Sequence, residues 1–381
     1  MANTFKFGTN GNWAVKDGQA LAYNDENNNF KPLPFDFTRA SSATRVNKQG
    51  LIETVGSGKP RIDFTDNTDG HLLLEPSRTN IITHSEDFNQ WTKLGTTFTI
   101  TSNNQISPSG ELNASTVNVT NNDNILYKSV SGLGSSTSNW NFTIYAKGSG
   151  TFDMNIRLNT STTTTETKTL TSSWQRFNVS VTGTPTINSV ESYVQFNTSG
   201  TYYIWGAQTE AGSYATSYIP TEGSSVTRVA DSTSQTAPDG IIGQTEGTVF
   251  LEIKAPNKLA NGGRTIFVIG DSPNIVYISK DSSTLNTFQL ATQSPSGFNF
   301  INTSEITTDE VKLAIGYKNG DNAFYVNGSL ISSESSVTNP NLNSKLLLGN
   351  STASLNTDVR IKDFRVYNTR LSNAELQALT S

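Results

Sequence analysis

His71 and His84 are the two histidines of the chain, and cysteine is absent. A Ser-His-Asp relay or a histidine-held metal would have to use one of them. Thiolate catalysis, Cys-ligated zinc and disulfide bridges are excluded outright. His71 follows Asp69-Gly70 in a turn-like setting, and His84 stands in Thr83-His84-Ser85-Glu86-Asp87. No partner motif surrounds either, so both are expected as solvated loop residues. Nucleophile-elbow, P-loop and dinucleotide fingerprints are also missing. Paired carboxylates would be the remaining route to glycoside cleavage, because one acid and one base or nucleophile must flank the bond. The Glu-x-Asp-x-x-Glu spacing of sandwich-fold glucanases does not occur, and Asp63/Asp66 and Glu86/Asp87 stand in turn-like contexts. The expectation is a protein that is not an enzyme.

Binding chemistry is better supplied. A sugar is held by an aromatic ring against its C–H face and by amides or carboxylates that meet its hydroxyls. Trp91, Trp140, Trp174, Tyr193, Tyr202, Tyr203 and Trp205 gather in the middle of the chain. An aromatic in an alternating strand is more often core than platform. The carbohydrate-binding candidates are therefore those with polar flanks, Trp140 after Ser138-Asn139 and Tyr193 after Glu191-Ser192. Tyr277 and Phe298 are the candidates in the last third. Acidic oxygens in loops suit a hard cation such as Ca²⁺, with Asp271 and Asp281 as candidate ligands and an ordinary turn aspartate as the competing reading. No other cofactor is expected.

Strands must carry these side chains. Phe152, Met154, Ile156 and Leu158 share one face of a period-two run while Asp153, Asn155, Arg157 and Asn159 share the other, the signature of a strand with one wet side. Phe142/Ile144/Ala146 and Phe177/Val179/Val181 repeat it. Thr160–Thr167 is low in complexity and reads as a loop or exposed edge. Further on, Val249/Leu251/Ile253 and Val311/Leu313/Ile315/Tyr317 alternate, and Asn319-Gly320 and Asn327-Gly328 mark hairpins, since both residue types tolerate positive φ. Ile361 is out of phase with Phe364 and Val366, which predicts a bulge near Asp363. One helix is expected at the end, with Ser372 as N-cap, Glu375 completing a capping box and Leu371 stapled to Leu376.

The fold class is therefore all-β, in 381 residues that suit two or three domains. The boundaries read as an N-terminal β-rich attachment or oligomerisation region over 1–80, a central jelly-roll sandwich over 81–221, a Gly/Ser/Thr linker over 222–244 and a C-terminal sandwich over 245–381. The first region holds few large apolar residues and must lean on a neighbouring domain, another subunit or a virion socket. Ser41-Ser-Ala-Thr-Arg-Val46 is echoed by Ser224-Ser-Val-Thr-Arg-Val229. Chance in a Ser/Thr-rich chain accounts for that, and equivalent placement at a shared junction is the sharper alternative. Charged residues are 15% and the net charge is −5, with no Lys/Arg run, which argues against nucleic acid. No apolar run suits a signal peptide or a membrane span. A hydroxyl-rich surface without an export signal fits a virion protein assembled in host cytoplasm.

Several blocks resemble phage tail and head fibre proteins: Phe37-Thr-Arg-Ala-Ser-Ser-Ala-Thr44 with Gly50-Leu51, Pro60-Arg-Ile-Asp63, Leu72-Leu-Leu-Glu-Pro-Ser-Arg-Thr-Asn80 and Ser85-Glu-Asp-Phe88. Trp205-Gly-Ala-Gln-Thr-Glu210 and Thr216-Ser-Tyr-Ile-Pro-Thr221 close a middle unit similar to galactose-binding-like jelly rolls. Residues 245–381, with Tyr325-Val-Asn-Gly328 and Val366-Tyr-Asn-Thr-Arg-Leu-Ser372, resemble concanavalin A-like (laminin-G-like) domains. The resemblance implies a virion fibre or spike subunit that docks to other virion proteins through its N-terminal region. It would be a homotrimer and would contact host-surface glycans. A purely structural capsid-decorating or shaft protein and a polysaccharide depolymerase are the alternatives. Within the repeated blocks, Arg39, Glu75 and Arg78 read as structural ion pairs rather than a binding site.

Overall fold

The alternating runs fold into antiparallel sheets, as their period requires. The computed structural model describes residues 5–9, 13–16, 19–24, 29–31, 36–95, 97–121, 124–184, 186–236, 242–254, 264–271, 274–280, 287–294, 297–304, 306, 308, 310–335, 342, 345–348 and 358–381. Two compact units form. Unit 1 comprises Met1–Ser42, Val55–Ser77 and Val229–Ser381, and unit 2 comprises Ala43–Thr54 and Arg78–Arg228. No helix among the described residues is long and apolar enough to cross a membrane.

Unit 1 is built on an 11-stranded and a 7-stranded sheet whose inner residues, among them Leu251, Ile253, Ile269, Leu313 and Phe364, share one core. Glu246–Lys254 lies between Glu310–Lys318 and Val359–Tyr367. Opposite Glu252 stands Asp363, but opposite Ile253 stands Ile361, so Lys362 is the extra residue of the expected bulge. The helix α1 (Asn373–Thr380) has the expected capping box: Glu375 N donates to Ser372 Oγ and Ser372 N to Glu375 Oε2. Its Leu376 joins Leu371, Phe250, Ala314 and Tyr325 in a second cluster. That cluster explains why Phe250 and Ala314, out of phase with the main core, are apolar too.

Two boundaries need correction. The segment 1–80 is not a separate attachment region, because Phe5–Phe7 pairs with Val359–Tyr367 and Asp36–Thr38 pairs with Ser232–Thr236. Of the supports left open for it, the neighbouring domain of the same chain is one that it uses. Residues 222–244 are not a plain linker either, since they hold strands Val226–Arg228 and Ser232–Thr236. Both were misread because the interior here is polar. Asp231 accepts from Arg39 Nη1 at 2.8 Å, from Arg61 Nη2 and from the Glu75 amide at 3.0 Å. Arg61 Nη1 also donates to Glu75 at 2.7 Å, and Arg39 donates to the carbonyls of Ser41, Gly56 and Lys59. All four side chains are buried. Arg39 and Glu75 are structural ion-pair residues, as read from the sequence.

His71 is a second correction. It is 0% exposed, in strand His71–Leu74, with Nε2 3.3 Å from Asp63. Gly70, at φ +75°, ends the turn one residue earlier than the Asp-Gly pair suggested. Burial pushes this imidazole below its ordinary pKa, opposed by the bond to Asp63, so it sits neutral in the core.

Unit 2 is a sandwich of ten principal strands: β1 (Thr92–Leu94), β2 (Phe98–Ile106), β3 (Leu112–Val119), β4 (Asn124–Ser135), β5 (Asn139–Gly148), β6 (Thr151–Leu158), β7 (Thr162–Thr169), β8 (Gln175–Thr182), β9 (Ile187–Phe196) and β10 (Gly200–Ala211). They form sheets β1-β4-β9-β6-β7 and β2-β3-β10-β5-β8. Phe142, Ile144, Phe152, Met154, Val179 and Val194 meet between them. The threonine-rich stretch forms the edge strand β7. The echoed hexapeptides carry strands Ala43–Val46 and Val226–Arg228, which start at the same place in the echo. Each belongs to a two-stranded sheet, with Ile52–Val55 and Arg78–Asn80 respectively, and each adjoins a point where the chain passes from one unit to the other.

Candidate functional site

The sheet β1-β4-β9-β6-β7 has one face in the core, through Leu126, Val194, Met154 and Ile156, and one face outside. Strand alternation puts Tyr127 and Tyr193 on the outer face, directly opposite one another in register. Neighbouring strands lie about 4.8 Å apart, so the two side chains leave the sheet from adjacent positions. The row continues to Thr92 on one flank and to Asn155 and Thr165 on the other. The adjacent outward row holds Leu94, Ile125, Gln195, Asp153 and Thr167. Polar side chains here are held in place: Thr165 Oγ1 donates to Asn155 Oδ1 at 2.5 Å and Thr167 Oγ1 to Asp153 Oδ1 at 2.7 Å. Arg157 pairs with Glu191 beside Tyr193. Partial burial raises the Tyr193 phenol above its ordinary pKa, with Arg157 opposing and Glu191 adding. The phenol is thus a neutral donor and acceptor. Two part-exposed rings bordered by amides, hydroxyls and a carboxylate can stack on an apolar ligand face and meet its hydroxyls.

Of the residues singled out from the sequence, Tyr193 lies on this face. Trp140 does not. It is 3% exposed, packs in the sandwich core and donates Nε1–H to Thr137 O at 3.1 Å. Its phase with Phe142 and Ile144 decided its side, and the polar flanks misled. Tyr277 is part-exposed on strand Asn274–Lys280 in unit 1. Phe298 is in strand Gly297–Asn302 opposite Gln293, and nothing further is described of its side chain. Asp271 ends strand Arg264–Asp271, and Asp281 lies outside the described residues. No group of three or more His, Asp or Glu among the described residues could hold a metal ion. Tyr127 escaped the sequence reading because Leu126, Lys128 and Val130 give its strand no clean alternation.

A second feature of unit 2 is a polar cleft of about 860 Å³ lined by His84, Glu86, Asp87, Asn89, Asn103 and Glu222, among others. His84 is a part-exposed loop residue there, as expected. Glu86 is less ordinary. Tyr218 Oη donates to its Oε1 at 2.9 Å and Asn113 Nδ2 to its Oε2 at 3.0 Å. Burial nevertheless raises this carboxyl above its usual range, and Glu111 and Glu222 add to the rise. A carboxyl raised in the fold contributes stability that is fully present below its unfolded pKa of about 4.3 and is lost as pH climbs through the folded value. Glu86→Gln keeps an oxygen for Tyr218 and removes the charge. Its melting temperature relative to the parent should rise as pH climbs from about 4.3 through the folded pKa and level off above it, in parallel thermal melts. A difference that does not vary with pH would contradict the raised carboxyl.

Residues 228–377 match the family described as the concanavalin A-like lectin/glucanases superfamily. Unit 1 carries a concanavalin A-like domain. A search of curated proteins finds no match. Among solved structures, the chain is similar to the binding domain of botulinum neurotoxin DC in complex with rat synaptotagmin II, at 16% identity and TM-score 0.34, over 40% of each chain. It is also similar to the Ruminococcus gnavus IT-sialidase CBM40 bound to alpha2,3 sialyllactose, at 14% identity and TM-score 0.32, over 36% of this chain and 84% of that one. The chain thus spans well under half the length of the neurotoxin domain. These likenesses concern the β-sandwich fold alone.

Proposed function

We propose that the chain is a non-enzymatic glycan-binding protein of a phage virion, and that it holds host-surface glycans on the Tyr127–Tyr193 face of unit 2. The observation that carries this reading is the register of two part-exposed tyrosines, on neighbouring strands of one outer face, among hydroxyl, amide and carboxylate groups. The virion assignment rests on the blocks that resemble fibre proteins. Those blocks supply Arg39, Arg61 and Glu75 of the buried ion network, so they build the frame of unit 1, and unit 2 provides the contact. Docking to other virion proteins through unit 1 and assembly as a homotrimer complete the proposal. Single sugar sites are shallow, and several copies acting together would supply the avidity.

A glycan array probed with the full chain tests it. The parent should bind, and the variant carrying Tyr127→Ala and Tyr193→Ala together should lose that binding. Each truncation is expected to cost about 1–2 kcal/mol, or roughly 5- to 30-fold in affinity. Retention of binding by the double variant, with an unchanged melting temperature, would refute the assignment of this face.

A further inference from the structure

The opposite sheet of unit 2, β2-β3-β10-β5-β8, also shows aromatic rings on its outer side. Trp140, Phe142, Ile144 and Ala146 of β5 point into the sandwich core, so Tyr145 and Lys147 point out. Lys147 is in register with Tyr203 of β10, which is in register with Thr116 of β3. The Lys147 ammonium lies 5.0 Å from the centre of the Trp174 ring and 5.3 Å from that of Tyr203. Trp174 is held by a bond from Nε1 to Ile106 O at 2.9 Å and packs at the edge of the cluster of Ile52, Ala114, Trp205 and Tyr218. Lys147, Trp174 and Tyr203 are all part-exposed.

The charge on Lys147 has no counterpart among the described residues. Among the described residues no carboxylate lies within ion-pairing distance of its ammonium, although most other cations of known partnership in this chain face an Asp or Glu. Two rings offer it their π-faces, which position a cation but leave it un-neutralised. The fixed rings also spare a ligand the entropy of ordering them. Thr116 Oγ1, bonded to Asn104 Oδ1 at 2.8 Å, extends the row with polar atoms.

We propose that Lys147, Trp174 and Tyr203 form a second subsite, which takes an acidic sugar: a pyranose whose ring carries a carboxylate. The carboxylate meets the Lys147 ammonium, and the apolar ring face lies against the indole or phenol. This inference rests on the reading of the chain as a glycan binder and adds a class of sugar and a separate place for it. Among the described residues the one cation of the Tyr127–Tyr193 face, Arg157, is already paired with Glu191, so that face is suited to neutral sugars.

Titration of the full chain with a glucuronate-terminated oligosaccharide and with its glucose-terminated counterpart of the same linkage separates the two sites. Lys147→Met keeps the apolar stem between the rings and removes the charge. It should weaken glucuronate binding about tenfold, as expected for loss of a charge-assisted contact, and leave glucose binding unchanged. The double variant at Tyr127 and Tyr193 should do the reverse. Added salt should weaken the glucuronate interaction in the parent and not in Lys147→Met. Unchanged glucuronate binding by a folded Lys147→Met protein, with neutral binding intact, would overturn this proposal alone. Absence of binding to both sugars by the parent would overturn it together with the glycan-binding reading.

Discussion

Asp231→Ala should destabilise unit 1 by about 3–5 kcal/mol, the range for removing one partner from a buried ion pair. The carboxylate accepts from Arg39 and Arg61 and from the Glu75 amide, and every charged member of the group is buried. Its removal takes a buried acceptor from both guanidiniums and from the Glu75 N–H, leaving Arg61 to Glu75 and Arg39 to backbone carbonyls, and each lost bond carries a desolvation cost. The loss is large beside the roughly 5–15 kcal/mol that a folded domain commands. Hydrogen exchange read by mass spectrometry would show where it falls. Peptides across 58–77 and 229–236 should lose protection first, while those of the sandwich core of unit 2 keep theirs. Replacing Arg39, Arg61, Glu75 and Asp231 together with apolar residues of similar volume should restore much of the stability, because no lone charge is then buried. A loss below about 1 kcal/mol for the single variant, the scale of an exposed pair, would mean that water reaches this network.

Trp140→Ala should cost unit 2 about 3–5 kcal/mol, the usual result of emptying a large aromatic site in a packed core. The indole lies in the same core as Phe142, Ile144 and Val181, and its Nε1–H is satisfied within the fold. Tyr193→Ala, on the wet side of the adjoining sheet, should change stability by about 1 kcal/mol or less while it impairs glycan binding. Urea melts of the two variants, set beside their binding curves, separate a core residue from a contact residue. If Trp140→Ala were stable and unable to bind, the flank-based reading of Trp140 as a platform would be right after all.

Much of this fold is legible in the sequence. Phe152 to Leu158 and Val249 to Ile253 alternate as sandwich strands must, the phase slip between Ile361 and Phe364 marks the bulge at Lys362, and Ser372 with Glu375 marks the helix start. What escaped is the polar interior. Arg61, Asp63, His71 and Asp231 look like surface or turn residues until long-range partners are known, and the pairings of Asp231 span up to 192 positions. The separation of 1–80 and 222–244 from the C-terminal sandwich failed for that reason. The site was half visible. Tyr193 is marked by its polar flanks, but its neighbour Tyr127 becomes a candidate only when the register of β4 and β9 is known.

The most direct test is to locate a bound oligosaccharide in a crystal of the full chain soaked with the best neutral ligand from an array. The sugar is predicted to lie across the rings of Tyr127 and Tyr193, with hydroxyls at Asp153 or Gln195. A ligand seated instead on unit 1, with the two tyrosines bare, would contradict the account.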